Sequence, residues 1–491
     1  MNNRHTRFTA LASAGLSLAV AVGQGAPDVN LFFRSASRNE RESRDALEHL
    51  RSSWKPGHAS LLVDIARLLR PVRLPVQSDR GLPSGASPGG DPESDAPDTA
   101  ERWERRTVSS PVRTRIIRYL ERQTGQRFGD DLWRWRRWLW SQPYDPHPDY
   151  LAFKSTLFAA IDPRMAEFFG PQATSVIRLD EIEWGGVGVN GIPPLNQPKV
   201  VDAASATYLK DSNLVFGIVR GDEARAYPKR ILAWHELARD TLGGTHLTIV
   251  YCTLCGTVIP YESMAGGVTR TFGTSGLLYR SNKLMFDEET MSLWSTFEGR
   301  PVVGRLAGQP IQLRAVPVVT TTWGEWRKTH PRTTVLSLET GFTRDYAEGA
   351  AYRDYFATDR LMFHVPGEDT RLKNKTEVLT LQLTDASTGS AAPLAIAAEF
   401  LRKTPLFAFE HAGRSLVIVT SEKGANRVYE GGESFTKHIS EIELQAADGS
   451  RWSITEDALV GPHDRRLRRV AASRAFWFGW RAQFPATRLI K

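Results

Sequence analysis

The chain has 491 residues, 41% hydrophobic and 24% charged, with a formal net charge of +8. Those proportions suit a folded globular protein with room for about two to four domains. No run of about 20 apolar residues follows the N-terminus, which excludes an internal transmembrane helix, and the charge does not describe a nucleic-acid surface: residues 101–140 hold eleven arginines and five acids, so +6 of the +8 is local.

Arg4 and Arg7 precede an apolar stretch from Phe8 to Val22, with small-x-small sites at Ala19-Val20-Ala21 and Ala21-Val22-Gly23. Residues 1–23 are therefore expected to be a cleavable signal peptide. Export would place the protein in the periplasm or at the cell envelope, with its thiols in an oxidising compartment. Residues 30–70 read as a helical hairpin. Ala46, Leu47 and Leu50 share a helical face, as do Leu61, Leu62, Ile65, Leu68 and Leu69, and Lys55-Pro56-Gly57 breaks the chain between them. Residues 71–100 are rich in Pro, Gly, Ser and Asp and read as a flexible linker. Residues 101–170 return to helix. In the run Trp133–Trp140, Leu132, Trp135, Trp138 and Leu139 fall on one face, with arginine stems along its edges, which is the pattern of core packing.

From Ile177 the hydrophobic period changes to two and glycine becomes frequent. Leu214–Val219 and Ala224–Tyr227 flank Gly221-Asp222 as a hairpin. Ala233–Asp240 reads as a helix ended by Gly243-Gly244. Leu247–Tyr251 and Thr257–Tyr261 read as strands joined through Cys252-Thr253-Leu254-Cys255-Gly256, which contains both cysteines of the chain. Leu284–Asp287 and Met291–Trp294 form another hairpin. A longer period is also visible. Trp323-Gly324-Glu325-Trp326-Arg327, followed by Pro331 and Thr333, returns as Trp477-Phe478-Gly479-Trp480-Arg481 with Pro485 and Thr487. Leu247–Val250 is echoed by Leu416–Val419, each followed by Tyr-Glu. The expected fold is α+β: N-terminal helical segments, then a β-rich unit with a degenerate internal duplication. Copy one, in 180–365, keeps a site; copy two, in 366–491, has Thr420-Ser421-Glu422-Lys423-Gly424 where the cysteines stand and has lost it.

The C-x-x-C knuckle directs both sulfurs to one side of a tight turn, with Gly256 supplying the backbone freedom. Three chemistries fit. Cys252 and Cys255 could grip a metal ion with His235 as third ligand, zinc, copper or iron being the candidates. They could form a redox dithiol, although a following strand lacks the helix that lowers the first thiol's pKa in thioredoxin-like sites. They could close a structural disulfide, a short loop worth about 2 kcal/mol. His235 and Glu236 are candidate catalytic groups: His235 as base or ligand, Glu236 orienting it or a water. The glycine-bracketed loop Phe272–Asn282 offers Ser275 and Arg280 as substrate contacts. It is neither a phosphate-binding loop nor a serine-hydrolase elbow.

Trp184-Gly185-Gly186-Val187, Gly191-Ile192-Pro193-Pro194, Ala226-Tyr227-Pro228, His235-Glu236, Tyr251–Gly256, Phe272–Leu277 and Ser292-Leu293-Trp294, in that order, resemble the bacterial family catalogued as domain of unknown function 3179. The resemblance spans about 180–365 and extends toward the C-terminus. It implies where a site lies and carries no activity with it. One departure is Ala238-Arg239-Asp240, where members of the family often carry Val-Asn-Asp. The residues favour an exported Cys/His metal-dependent enzyme or metal-handling protein, acting on a small molecule or a protein partner, with no nucleic acid. The alternatives are a non-enzymatic binding module with a C-x-x-C disulfide and a thiol-disulfide redox protein.

Overall fold

The computed structural model describes residues 27–69, 72–73, 107–108 and 110–491. The expected signal peptide and nearly all of the expected linker lie outside them. Within 71–100, only Val72–Arg73 is described, paired antiparallel with Thr107–Val108. The fold is α+β, divided into two compact units. One comprises the described residues up to Gln172 with Arg178–Asp180; the other comprises Ala173–Ile177 and Glu181–Lys491. Among the described residues no helix is long and apolar enough to cross a membrane.

The first unit is helical. Residues 27–68 form three helices, Pro27–Ser35, Glu40–Ser52 and His58–Leu68, one more than the expected hairpin. The additional helix exists because Phe32 and Phe33 can be buried, Phe33 stacking on Phe153 at 5.0 Å. Asn39 starts the second helix by accepting a hydrogen bond from the Glu42 amide. Helices Pro111–Thr124, Leu132–Ser141 and Tyr150–Ala159 follow, the first capped by Ser110 and the second by Asp131. In the tryptophan run, Trp135, Leu139 and Trp140 are buried. Buried Arg136 lies over the Trp140 ring at 4.4 Å. Arg136 is thus satisfied internally, while Arg134 and Arg137 of the same run are exposed.

The second unit is built of sheets. A five-stranded sheet runs in the order Val319–Thr322, Leu214–Arg220, Glu223–Pro228, Thr334–Leu336, Val200–Asp202. Helix Lys229–His235 leaves the Glu223–Pro228 strand and leads into an antiparallel meander, Leu237–Leu242, Thr245–Cys252 and Thr257–Glu262. Beside it stands a six-stranded sheet whose central hairpin is Phe272–Tyr279 and Asn282–Asp287. C-terminally, a four-stranded sheet has the order Ser473–Phe476, Glu377–Thr384, Ala391–Ala397, Arg488–Ile490. Helix Ala398–Lys403 leaves it for the strands Leu406–His411, Arg414–Thr420 and Asn426–Glu430.

Four strands of the five-stranded sheet match the four-stranded sheet in order and sense. Each sets one strand antiparallel to the first arm of a hairpin and one parallel to the second arm. Each places a tryptophan-rich helix, Trp323–Thr329 or Trp477–Gln483, before that parallel strand. The indole of Trp326 donates to Thr333 Oγ1, and that of Trp480 to Thr487 Oγ1, both at 2.9 Å. The W-x-x-W helices are therefore core plugs, each tied to a threonine seven residues on.

Trp326 can be seated because the strand beneath it has a glycine. A Cβ at Gly217 would stand 2.2 to 2.5 Å from three carbons of the fully buried Trp326 ring. Gly217→Ala is expected to destabilise the unit by about 1–3 kcal/mol or more, since neither the ring nor the strand can give way. A urea unfolding curve checks this, and an unchanged midpoint would contradict the packing described.

Candidate functional site

The hairpin of Thr245–Cys252 and Thr257–Glu262 closes on the pair Cys252–Thr257, so the cysteines occupy its turn. Gly256 has φ +60°, and a Cβ there would meet the Phe476 ring at 2.9 Å. Glycine serves both the conformation and the contact. The turn is held from outside by two hydrogen bonds and a sulfur contact. The Phe476 amide donates to the Cys255 carbonyl at 2.7 Å. Tyr355 donates its hydroxyl proton to the Leu254 carbonyl at 2.8 Å. The Cys255 sulfur stands 3.4 Å from the Ser281 carbonyl. Both thiols are free, with Cys252 1% and Cys255 0% exposed. Gly479 packs directly on Cys255: a Cβ there would lie 3.0 Å from the sulfur.

A second turn faces the knuckle. Tyr279 pairs with Asn282, so the hairpin Phe272–Tyr279 and Asn282–Asp287 turns on Arg280 and Ser281 alone. Both lie in the left-handed region, at φ +51° and +62°, as a two-residue hairpin turn demands. Non-glycine residues there are strained, a cost the surrounding contacts sustain. The turn presents the Ser281 carbonyl, the Asn282 side-chain amide (3.4 Å from the Cys255 sulfur) and then Lys283.

Residues 233–240 differ from the helix expected there. The helix Lys229–His235 stops at Glu236, whose φ of +55° makes it the left-handed C-cap, and Leu237–Leu242 is a strand. Leu242 pairs with Thr245, so Gly243-Gly244 is a two-residue hairpin turn rather than a helix stop. Arg239 and Asp240 therefore lie on a strand, not on the helix that carries His235. Asp240 is instead buried against Arg225 and Tyr227, each at 2.7 Å.

Turning the chain at Glu236 sends His235 and Glu236 in different directions. His235 is fully buried, and both ring nitrogens are engaged. Nδ1 donates to the Pro193 carbonyl at 2.9 Å, and Nε2 accepts from the Tyr346 hydroxyl at 2.5 Å. Burial holds its pKa below the ordinary 6.5, which matches a neutral ring accepting at Nε2. His235 is thus a clamp between loops and makes no ligand set with the cysteines. Among the described residues no group of three or more His, Cys, Asp or Glu side chains could hold a metal ion. The two thiols supply two donors where a zinc-like site needs at least a third.

Glu236 turns toward Lys283. Its carbonyl accepts from the Tyr251 amide at 2.8 Å and from Lys283 Nζ at 2.9 Å, and its carboxylate stands 3.3 Å from the same Nζ. Both side chains are buried. Burial presses the Lys283 pKa below its ordinary value against the opposing charge of Glu236 and of Cys252. Sequence reading missed Lys283, a residue one step into a strand with no local sign of its partner.

The two thiols are electrostatically unequal. Burial pushes Cys252 up, and Glu236 adds to that. Hydrogen bonds from the Cys255 thiol and from the backbone amides of Lys283 and Cys255 outweigh both and leave it below an ordinary thiol. Burial and the neighbouring Cys252 sulfur push Cys255 well up, against the Asn282 amide. One sulfur is prepared to be the thiolate and the other to keep its proton.

Glu236, Lys283 and Leu254 also line a cleft of about 450 Å³, open solvent included, walled by Val187, Ile192, Leu277, Leu278, Met362 and Phe363. Ser275 lines it too, but its hydroxyl donates to the Leu284 carbonyl at 2.6 Å and accepts from the Leu277 amide at 3.0 Å. Arg280 pairs with Glu181 and donates to the Ala482 carbonyl at 2.8 Å. It therefore anchors the turn. Of the expected site residues the structure gathers Cys252, Cys255 and Glu236, and adds Lys283 and Asn282. His235, Ser275 and Arg280 hold the frame around them.

A family model described as protein of unknown function (DUF3179) matches residues 189–487, which include Glu236, both cysteines and Lys283. The chain belongs to this family. No curated protein and no solved structure matches it. The DUF3179 region includes the knuckle, the Lys283 strand and the tryptophan helix that covers Cys255.

Proposed function

We propose that this DUF3179 protein is a thiol-disulfide redox protein, with Cys252 as nucleophile and Cys255 as the thiol that closes the disulfide onto it. The observation that carries this reading is the unequal donor set around two adjacent sulfurs. Cys252 is the sulfur held below an ordinary thiol and Cys255 the one pushed up, and a buried Glu236–Lys283 pair lines a cleft that also takes in Leu254 between them. Such a site can hold a thiolate, exchange a proton and admit a small reactant. Starting from the Cys252 thiolate, forming the disulfide removes two electrons and the one proton left on Cys255.

A structural role for the pair is favoured by one observation, the burial of both sulfurs, with Gly479 packed on Cys255. Titration of the native protein in mixtures of reduced and oxidised dithiothreitol separates the two. The redox reading expects one reversible two-electron transition linking Cys252 and Cys255, with the fold intact and less than one equivalent of zinc, copper or iron bound. A pair that cycles only on unfolding makes it structural. A stoichiometric metal lost in Cys252→Ser returns the metal-handling reading.

Two further readings are proposed with it. The matched strand orders and the paired Trp–Thr bonds support a degenerate duplication, the second copy lacking the cysteines. The basic-apolar start, residues 1–23, supports export to the periplasm or envelope.

A further inference from the structure

Resting on that redox reading, we propose that the cleft beside Cys252 takes an apolar organic hydroperoxide, reduced to its alcohol by Cys252 with Lys283 as the proton source. Three features narrow the substrate. First, the thiols are at most 1% exposed. A protein disulfide needs a sulfur open enough for two substituted sulfurs to align with it, and this pair offers none. A hydroperoxide presents one terminal oxygen, the slimmest electrophile that can pass between side chains.

Second, the cleft walls are aliphatic and aromatic. Two polar side chains on them are already engaged: Thr274 Oγ1 donates to the Ile192 carbonyl at 2.7 Å, and Ser275 to that of Leu284. The charged termini of a small peptide disulfide would lie against apolar walls without partners. An apolar tail would be desolvated there favourably. Third, the charged side chains of the lining, Glu236 and Lys283, share it with Leu254 of the C-x-x-C turn, so the cleft reaches the knuckle. Lys283 lines the cleft and follows Asn282, whose side-chain amide lies 3.4 Å from the Cys255 sulfur.

The chemistry balances. The Cys252 thiolate attacks the terminal oxygen; an S–O bond forms and the O–O bond breaks. The departing alkoxide takes a proton from the Lys283 ammonium and leaves as the alcohol. Cys252 is then a sulfenic acid and Lys283 a neutral amine. The Cys255 sulfur next attacks Cys252; the S–S bond forms and the S–O bond breaks. The proton of Cys255 leaves with the hydroxide as water, and solvent reprotonates Lys283. A small dithiol reductant restores both thiols.

The test is a single turnover of the reduced full-length protein with cumene hydroperoxide, hydrogen peroxide or oxidised glutathione. Tryptophan fluorescence gives the rate, and mass spectrometry identifies the Cys252–Cys255 disulfide. Cumene hydroperoxide should react roughly tenfold or more faster than hydrogen peroxide, the discrimination an apolar pocket supplies. It should yield one equivalent of alcohol, and oxidised glutathione should be slowest. Leu278→Trp and Val187→Phe, each narrowing the cleft, should bring the ratio of the two peroxide rates toward one. A ratio near one in the unaltered protein, or one that neither variant changes, overturns the substrate assignment. If hydrogen peroxide still forms the disulfide, the redox reading survives that loss; if no oxidant forms it in the folded protein, both fall.

Discussion

Cys252→Ser should leave the native protein inert to iodoacetamide at neutral pH, while Cys255→Ser should remain reactive at the other sulfur. The asymmetry follows from who donates to whom. Cys252 receives the Cys255 thiol and two amides, and it alone is held below the ordinary 9.0. Cys255 lies beside that sulfur in a fully buried place and is pushed up. The rates should differ by roughly tenfold or more, the change in thiolate fraction made by one pKa unit. Cys255→Ser also weakens the donor to Cys252, so the reactivity that remains should move to higher pH. The sign is fixed. Raising pH through the Cys252 value switches reactivity on in the wild type, and Cys255 follows only at more alkaline pH. Peptide mass mapping after timed alkylation reads both sites together. Equal labelling of the two cysteines at neutral pH would remove the basis for naming a nucleophile.

Lys283→Met should destabilise the β-rich unit by about 3–5 kcal/mol, the cost of leaving a buried carboxylate without its counter-charge. Glu236 is buried, and its backbone is held by the Tyr251 amide and by its place as the left-handed cap of the helix. The double variant Lys283→Met with Glu236→Gln should recover most of that loss, since no unpaired charge then remains buried. Urea unfolding of the single and double variants gives the coupling directly. If the single variant costs under about 1 kcal/mol, the pair is not the buried ionic contact described.

The sequence made some of this legible and hid the rest for identifiable reasons. The knuckle was readable because Leu247–Tyr251 and Thr257–Tyr261 are short β-branched, largely apolar runs that pair as strands, and Gly256 marks the turn. The paired W-x-x-W-R segments were readable because each performs the same packing with the same threonine partner. The helix over Ala233–Asp240 was misread because Gly243-Gly244 has two uses, and the hairpin use prevailed once Leu237–Leu242 found the Thr245–Cys252 strand. Glu236, a non-glycine in the left-handed region, gave no sign of ending a helix. The turn at Arg280-Ser281 was invisible for the same reason: its conformation ordinarily announces itself with glycine or asparagine.

The polar assignments divide in the same way. Arg280 and Ser275 looked like substrate contacts because a lone polar residue in a glycine-rich loop has no partner in sequence. Their partners, Glu181 and the Leu284 carbonyl, exist only after folding. Lys283 and Glu236 are 47 positions apart, and nothing local couples them. His235 was expected at the metal, and it is instead consumed by Pro193 and Tyr346. Chemistry-bearing residue types were visible in one dimension; which of them remain available was decided by tertiary hydrogen bonding.

The most direct test is a pH titration of thiolate absorbance in the reduced native protein, repeated with Cys252→Ser. The account predicts one thiolate that forms below the ordinary thiol value of 9.0 and disappears in the variant. A protein in which no thiolate forms below that value, or in which the early thiolate persists without Cys252, would contradict it.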